Sequence, residues 1–287
     1  MKTLTKIFLV STAVAFIAVK WRPSHFDPES LRGARVLVTG ASTGIGEQMA
    51  YHYARFGAQI VITARREKVL QQVVEKCLSL GAQKALYIAG DMATESDPDK
   101  VVEFSLEKLG GLDYLVLNHI GPTPLSMWKG DIEYARWLMK VVHVWSYESG
   151  TSKGSLVIVS SLLGKVPGPF TAPYSATKCA LNGFFGSLQH ELAMKNSNVS
   201  VSICTLGLID TEGAMTAIKL VGIVTNLPAS PASEAALNII KTGATRQAEL
   251  YYPWKIFIMT LTKDWSSTQS HYNLLRTVPT PYLILLT

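Results

Sequence analysis

The segment from residue 35 to residue 57 restricts the fold more than any other part of the chain. The apolar run Arg35-Val36-Leu37-Val38-Thr39 is typical of a short buried strand, and the turn Gly40-Ala41-Ser42-Thr43-Gly44-Ile45-Gly46 follows it directly. A helical pattern then runs from Glu47 to Arg55, and Gly57 closes it. Glycines let the backbone approach a pyrophosphate, and the helix start offers free N–H groups. This order predicts a dinucleotide site, although its G-x-x-x-G-x-G spacing differs from the commoner G-x-G-x-x-G.

Strand and helix patterns alternate along the rest of the chain. Further buried strands are indicated at 59–63, 85–89, 113–117 and 156–160, with helical patterns between them. Such repeated units predict an α/β fold: a single Rossmann-type, doubly wound parallel sheet with helices on both faces. At 287 residues and 48% hydrophobic content, the chain can bury a core of that size, and we assign residues 35–253 to this domain.

The residues that follow each strand are candidate ligand contacts, because open α/β sheets bind at the carboxyl ends of their strands. Arg65 and Arg66 follow the second strand, where an NAD site usually has an acid. Arginine there favours a 2′-phosphate and therefore NADP; alternatively, both arginines lie in solvent at the strand end. Asp91 can accept from an adenine amino group or can be a surface turn residue. His119 has no visible carboxylate partner, which favours a packed or hydrogen-bonded role over catalysis.

Ser161, Tyr174 and Lys178 are the candidate catalytic residues. Ser161 ends the fifth strand, and helix from Ser175 onward would place Tyr174 and Lys178 on one face. An ammonium beside a phenol lowers the pKa of that phenol, and the serine can hydrogen-bond the same substrate oxygen. A Tyr-x-x-x-Lys pair alone also occurs by chance on amphipathic helices.

Together, four motifs resemble the short-chain dehydrogenase/reductase family over nearly the whole chain after the N-terminal segment: Thr39–Gly46, Leu117–His119, Ser161 and Tyr174–Lys178. Further segments are similar to its 11β-hydroxysteroid dehydrogenase branch. The resemblance implies an NADP-dependent enzyme that interconverts a hydroxyl and a ketone on a steroid or similar lipophilic alcohol. It makes Tyr174 the general acid/base, while Lys178 binds the nicotinamide ribose and Ser161 orients the substrate oxygen.

The resemblance also implies a set of cofactor contacts. They comprise the glycine turn for the pyrophosphate, the two arginines for the 2′-phosphate, and residues after later strands for the adenine, ribose and carboxamide. These residues are Gly40, Ser42, Thr43, Gly44, Ile45, Gly46, Arg65, Arg66, Asp91, Met92, Asn118, His119, Ile120, Tyr174, Lys178, Ile209 and Thr211. Thr43 departs from the pattern of the 11β-hydroxysteroid dehydrogenase branch, which has a lysine at this position that helps to hold the 2′-phosphate.

A larger departure precedes the fifth strand. The family carries an asparagine in the helix before that strand, where it holds a water in the proton relay, but this chain has Val142. The chain then reaches Lys153 about eight residues too soon, so this helix is shortened by about 12 Å. A catalytically impaired dinucleotide-binding protein is therefore the alternative function. His143 is a less favoured substitute for the asparagine in the proton relay. A spliced or mispredicted segment would also explain the shortening.

Both ends of the chain indicate contact with a membrane or a second subunit. The apolar run Ile7–Val19 has lysines before it and Lys20-Trp21-Arg22 after it, so residues 1–22 are a signal peptide or signal-anchor. No convincing cleavage site follows, which favours an anchor in the endoplasmic reticulum membrane with the domain in the lumen; secretion is the alternative. Residues 23–34 form a linker. The apolar tail 254–287 contacts a membrane or a homodimer partner, or packs in the core.

Charge and cysteine content exclude other partners. The net charge of +6 comes from scattered lysines and arginines, so a nucleic-acid partner is not expected. The three cysteines, Cys77, Cys179 and Cys204, form neither a disulfide framework nor a metal-ligand spacing, and no metal is predicted. Asn198-Val199-Ser200 is a glycosylation sequon, usable only in a lumenal domain.

Overall fold

The computed structural model describes residues 25–120, 125–126, 129–141, 153–221 and 228–262. Several predictions lie outside these ranges: the N-terminal segment 1–22, Val142, His143 and the shortened helix region 142–152, and the tail from residue 263 onward. Among the described helices, none has the length and apolar character needed to cross a membrane.

Seven strands of the described part of the chain form the main sheet: β1 Arg35–Thr39, β2 Gln59–Ala64, β3 Lys84–Ala89, β4 Tyr114–Leu117, β5 Gly154–Ser161, β6 Val199–Leu206 and β9 Glu249–Tyr252. They are all parallel and lie in the order β3-β2-β1-β4-β5-β6-β9. Two further strands, β7 Ile209–Asp210 and β8 Ser230–Pro231, pair only with each other. The parallel, doubly wound sheet predicted from the alternating pattern is confirmed.

Helices connect the strands and cover both faces of the sheet. They are α1 Gly44–Arg55, α2 Glu67–Ser79, α3 Asp97–Leu109, α4 Ile132–Val141, α5 Ala172–Met194, α6 Glu212–Val221, α7 Ala232–Ala244 and α8 Lys255–Thr262. Single 3₁₀ turns occur at Pro28–Leu31 and Leu162–Gly164. Within the predicted linker, the buried side chain of Leu31 packs into the main core.

Alternate residues of each central strand face opposite layers. Val36 and Val38 of β1 pack with α1, α2 and α7, whereas Leu37 between them packs with α3 and α5. In β5, Val157 and Ile158 divide between the same two layers. Because both faces are buried, the strands consist of almost continuous apolar residues, and this is the pattern from which they were predictable.

Helix starts differ most from the sequence expectation. α5 begins at Ala172 rather than Ser175, so Tyr174 lies in its first turn. Pro173 is compatible with that position, because the N–H groups of a first helical turn have no intrahelical partner. Similarly, α1 begins at Gly44 rather than Glu47, since packing of the glycine turn overrides the low helix propensity of glycine.

Candidate active site

The candidate site lies at the carboxyl edge of the sheet, where β1, β4 and β5 are neighbours. Their last residues, Thr39, Leu117 and Ser161, bring the glycine turn, Asn118 and the candidate serine to one edge. Parallel strands share this edge, so residues far apart in the sequence meet there.

The glycines of the turn are required by conformation and by close packing. Gly40 and Gly44 have φ of +63° and +61°, in the left-handed region that favours glycine. A Cβ added to Gly46 would lie 2.3 Å from the carbonyl oxygen of Gly40 and 2.6 Å from Nδ2 of Asn118. A side chain there would push α1 away from the turn. The glycines therefore hold the N-terminus of α1 directly beside the end of β1.

Thr39 joins the glycine turn to the end of β4. Its buried hydroxyl oxygen accepts from the N–H groups of Asn118 at 2.9 Å and His119 at 3.2 Å, and lies 2.8 Å from Nδ1 of His119. Nδ2 of Asn118 donates to the carbonyl oxygens of Thr39 and Gly40, at 3.1 and 3.2 Å. His119 is thus hydrogen-bonded, in agreement with its expected role. The sequence marks Thr39 only as the end of β1 and the start of the glycine-turn motif, so the hydrogen bonds of its hydroxyl were not predicted.

Hydroxyls and guanidinium groups meet at the far end of the turn. Nη2 of Arg66 donates to Oγ of Ser42 at 3.2 Å and to Oγ1 of Thr43 at 3.3 Å, while Arg65 is exposed beside it. The nearest following acid, Glu67, is turned elsewhere, because its carboxylate accepts from the hydroxyl of Tyr87 at 3.4 Å. The end of β2 is therefore a site rich in hydrogen-bond donors.

The residues after β3 separate into a turn and the core. One carboxylate oxygen of Asp91 accepts from the N–H of Ala93 at 3.0 Å, while the N–H of Asp91 donates to Asp97. Asp91 therefore occupies a turn, and its contact with an adenine stays a prediction. The side chain of Met92 is buried in the core, whereas Ile120 after β4 is 46% exposed. Asp91, Met92 and Ile120 were all predicted as cofactor contacts, and among them the side chain of Met92 packs in the core.

The structure brings Ser161, Tyr174 and Lys178 together. The hydroxyl of Ser161 accepts from the N–H of Leu163 at 3.2 Å, and its interaction with Tyr174 acts to lower the pKa of that phenol. Lys178 is only 4% exposed, its Nζ donates to the carbonyl oxygen of Val159 at 2.9 Å, and it lies 5.8 Å from the centre of the Tyr174 ring. β5 and the first turns of α5 thus form one cluster of hydroxyl, phenol and amine.

Burial dominates the acid–base properties of this cluster. It raises the pKa of the Tyr174 phenol, and the smaller opposing effect is the hydrogen bond from Ser161. Burial also lowers the pKa of Lys178 from 10.5 to about 8. The expectation that Lys178 gives the phenol a lowered pKa is wrong for this structure, because removal from water disfavours the phenolate and Nζ is directed to Val159.

The start of α6 lies beside the glycine turn. A Cβ on Gly44 would be 3.1 Å from the methyl group of Thr211, and the hydroxyl of Thr211 accepts from the N–H of Ala214 at 3.3 Å. Ile209, just before it in β7, is buried. The structure therefore brings Thr211 to the same edge as the other predicted cofactor contacts.

An apolar cluster contains residues that follow β5. Leu162 and Val166 pack against Ile256 of α8, with Tyr251 and Met259 beside them. On the other side of the α8 region, Trp254, Ile258 and Leu261 are 56%, 48% and 58% exposed. The described part of the predicted tail therefore packs on the domain and also presents apolar side chains to solvent.

Comparison with known protein families gives a match over more than half of the chain. Residues 34–219 match the model of the short chain dehydrogenase family. A hydroxysteroid 11-beta-dehydrogenase 1-like protein of Danio rerio is 61% identical over 273 residues, covering 92% of this chain and 94% of the relative. The protein of the same name from Gallus gallus is 56% identical, covering 88% of this chain and 90% of the relative.

Solved structures show the same fold. A short chain dehydrogenase from Burkholderia cenocepacia J2315, in complex with NADP, has a TM-score of 0.67 and 26% identity, covering 77% of this chain and 97% of that chain. A short chain dehydrogenase/reductase from Burkholderia phymatum, in complex with NAD, has a TM-score of 0.73 at 17% identity, covering 88% and 98%. The second likeness bears on the fold alone.

Proposed function

The chain belongs to the short-chain dehydrogenase family, and from that premise we propose that it transfers hydride between NADP and a lipophilic alcohol or ketone, with a steroid as substrate. It is an oxidoreductase of this family, related to hydroxysteroid 11-beta-dehydrogenase-like proteins. The convergence of Ser161, Tyr174 and Lys178 beside the glycine turn is the observation that carries the proposal.

The residues at the carboxyl edge fit a nicotinamide dinucleotide. The glycine turn leads into α1, whose first N–H groups and positive dipole suit a pyrophosphate. Arg66, held by the hydroxyls of Ser42 and Thr43, suits the further phosphate of NADP, with Arg65 next to it. Because Glu67 is engaged with Tyr87, no carboxylate from the end of β2 is placed to select the free hydroxyl of NAD. These contacts support NADP.

Three side chains supply the proton chemistry. A bound nicotinamide accepts or gives the hydride at the substrate carbon. Oη of Tyr174 gives a proton to the substrate oxygen in reduction, or takes one in oxidation, and Ser161 holds the same oxygen by a hydrogen bond. Because burial raises its pKa, Tyr174 is protonated at neutral pH, which suits ketone reduction. At pH values below its pKa of about 8, Lys178 adds positive charge near the Tyr174 ring.

A lipophilic substrate is supported by the apolar surroundings of the serine and by the named relatives. Leu162 follows Ser161 directly, Val166 lies four residues further on, and Ile256 of α8 packs against both. The similar proteins from Danio rerio and Gallus gallus carry hydroxysteroid dehydrogenase-like names. We therefore propose a steroid of the 11β-hydroxysteroid type, or a comparable lipophilic alcohol, as the substrate.

We also propose where the protein acts. Residues 1–22 anchor it in the endoplasmic reticulum membrane with the domain in the lumen, and secretion after cleavage is the alternative. The exposed apolar residues Trp254, Ile258 and Leu261 suit contact with a membrane surface. Phe184 on the outer face of α5 is 47% exposed and suits a homodimer contact.

Cofactor binding and turnover test the proposed function together. We expect NADPH fluorescence to show saturable binding, and a panel of steroid ketones and alcohols to show turnover. Binding without turnover of any panel member would reject the enzyme and favour the catalytically impaired alternative. Absence of binding would reject both.

The variant Tyr174→Phe tests the role of Tyr174 as the general acid/base. We expect it to lower kcat by a factor of about 10² to 10⁴, because proton transfer is lost, and to leave NADP affinity within a few-fold of the wild-type value. Tyr51→Phe is the control, because it removes a phenol hydroxyl from α1 that contacts Glu47 outside the site. Unchanged turnover in Tyr174→Phe would contradict the role of Tyr174 as acid/base.

A further inference from the structure

A third polar residue continues the line of Tyr174 and Lys178 along α5. Asn182 lies four residues after Lys178 and eight after Tyr174, so all three lie on one side of the helix. This side faces β5 and the 3₁₀ turn after it, since Lys178 and Asn182 both form hydrogen bonds there.

Asn182 bonds to the chain on both sides of the catalytic serine. Its Oδ1 accepts from the buried hydroxyl of Ser160 at 2.7 Å, and its Nδ2 donates to the carbonyl oxygen of Gly164 at 3.0 Å. Ser160 immediately precedes Ser161, and Gly164 follows it by three residues. One side chain therefore fixes the entrance and the exit of the segment that carries Ser161.

The packing at Gly164 leaves little freedom in this arrangement. A Cβ on Gly164 would lie 2.8 Å from Nδ2 of Asn182 and 2.8 Å from both C and Cβ of Lys178. The turn and the helix are thus in direct backbone contact at the level of Lys178. The hydrogen bonds of Asn182 hold this contact in one register, because an amide presents one acceptor and two donors in a fixed plane.

We propose that Asn182, with the hydroxyl of Ser160, is a positioning pair that sets the position of Ser161 relative to Tyr174. Neither residue touches the reacting atoms. They act by clamping the segment 160–164 to the helix that carries Tyr174 and Lys178, so that Ser161 keeps its place against that helix. The inference rests on the proposed function for its catalytic consequence, but the geometry is testable without turnover.

The acidity of the phenol is the first readout. The hydrogen bond from Ser161 lowers the pKa of Tyr174, so a displaced Ser161 leaves that pKa higher than in the wild-type protein. The cofactor-free chain is labelled with 3-fluorotyrosine, whose more acidic phenol titrates at lower pH, and its ¹⁹F NMR signal is assigned with Tyr174→Phe. We expect Asn182→Leu, which keeps the branched shape but removes both polar atoms, and Ser160→Ala to shift the Tyr174 titration upward.

Matched variants make the result specific. Asn238→Leu on α7 is the control, since its Nδ2 donates only to Glu234 within its own helix. An unchanged Tyr174 titration in folded Asn182→Leu, or an equal shift in Asn238→Leu, would overturn the proposal. Should Asn182→Leu not fold, Ser160→Ala decides, because it removes one hydroxyl only, and Ser160→Thr should restore the wild-type titration.

Steady-state kinetics give the second readout. We expect Asn182→Leu to lower kcat roughly ten- to a hundred-fold through misplacement of Ser161, with NADP affinity within two-fold. In a Ser161→Ala background, the same substitution should have almost no further effect. Fully additive losses would reject coupling through Ser161. A wild-type protein without turnover would contradict the proposed function, whereas the fluorotyrosine titration would still decide the role of Asn182.

Discussion

The charge of single side chains at the carboxyl edge of the sheet depends mainly on their removal from water. Tyr174 and Lys178 both have pKa values displaced toward the neutral form. A neutral phenol is ready to donate a proton, and a lysine with a pKa of about 8 changes its charge close to physiological pH. The fold therefore determines the protonation of this pair more than the attraction between its members does.

We expect the burial of Lys178 to make the stability of the protein depend on pH. Below its folded pKa of about 8 it is charged in both states, and the folded state carries the full cost of burying that charge. Between pH 8 and 10.5 the folded state loses the proton first, so this cost disappears as pH rises. We expect Lys178→Met to have a higher free energy of unfolding than the wild-type protein at pH 7, by up to about 3 kcal/mol. The advantage should fall by more than half at pH 9.5.

Urea denaturation at the two pH values measures this difference. Lys195→Met is the control, because it removes the same kind of side chain from the exposed end of α5. A pH-independent difference between Lys178→Met and the wild-type protein would contradict the effect of burial on Lys178.

Arg66 is expected to distinguish NADP from NAD more strongly than Arg65. The hydroxyls of Ser42 and Thr43 already hold its guanidinium at the end of the turn. A charge-assisted hydrogen bond contributes about 1.5–3 kcal/mol, so Arg66→Ala should weaken NADP binding roughly 10- to 100-fold and change NAD binding little. Fluorescence titrations with both cofactors measure the ratio. Equal losses for the two cofactors would contradict recognition of the 2′-phosphate.

Residues with visible motifs were predictable from the sequence, and residues defined only by packing were not. Ser161, Tyr174 and Lys178 belong to a fixed spacing and to a strand end. Ser160 and Asn182 are 22 residues apart, and their 2.7 Å contact exists only once α5 lies against β5. A polar residue on a mostly apolar strand has no sequence signal for its partner.

At the scale of elements, the glycine turn and α5 contain glycines with opposite requirements. We expect Gly46→Ala to lower the free energy of unfolding by about 3 kcal/mol and to weaken cofactor binding, because its Cβ would be 2.3 Å from the backbone oxygen of Gly40. Gly183→Ala is the matched control on exposed helix surface, where nothing lies within 4 Å of the new Cβ. It should raise the free energy of unfolding by about 0.5–1 kcal/mol.

Denaturant titration of both variants checks the contrast. A destabilised Gly183→Ala would mean that this face of α5 is covered in solution, and sedimentation would then show whether a second copy of the chain covers it. A stable, cofactor-binding Gly46→Ala would contradict the close packing of the turn.

Strands and helices were predictable where their buried residues form a clear apolar pattern in the sequence. The central strands β1, β2 and β4, buried on both faces, stand out as apolar runs within one residue of the observed bounds, whereas β5 is three residues longer than its predicted run. The starts of α1 and α5 were predicted three residues late, because Gly44 and Pro173 are poor helix formers that tertiary packing and first-turn geometry accommodate. The two-residue strands β7 and β8 are too short to produce any periodicity.

At the scale of the whole molecule, the orientation of the protein in a membrane remains a prediction. Asn198, in the sequon before β6, is exposed at the edge of the sheet opposite the site. If residues 1–22 direct the domain into the lumen, we expect the cell-expressed chain to carry one glycosidase-sensitive glycan that Asn198→Gln removes. Asn196→Gln, two residues earlier and outside a sequon, should keep the glycan. A chain without any glycan would contradict lumenal orientation through this sequon.

The pairing of β7 with β8 also bears on how this protein family can diversify. Ile209 is opposite Ser230 and Asp210 is opposite Pro231, so the two ends of the segment 211–229 lie side by side. Loop-closure cost grows slowly with length, and insertions between fixed ends are well tolerated. An insertion or deletion between the two strands would leave β6 and α7 in place. Evolution can thus change the length of this one segment while β7 and β8 keep their pairing.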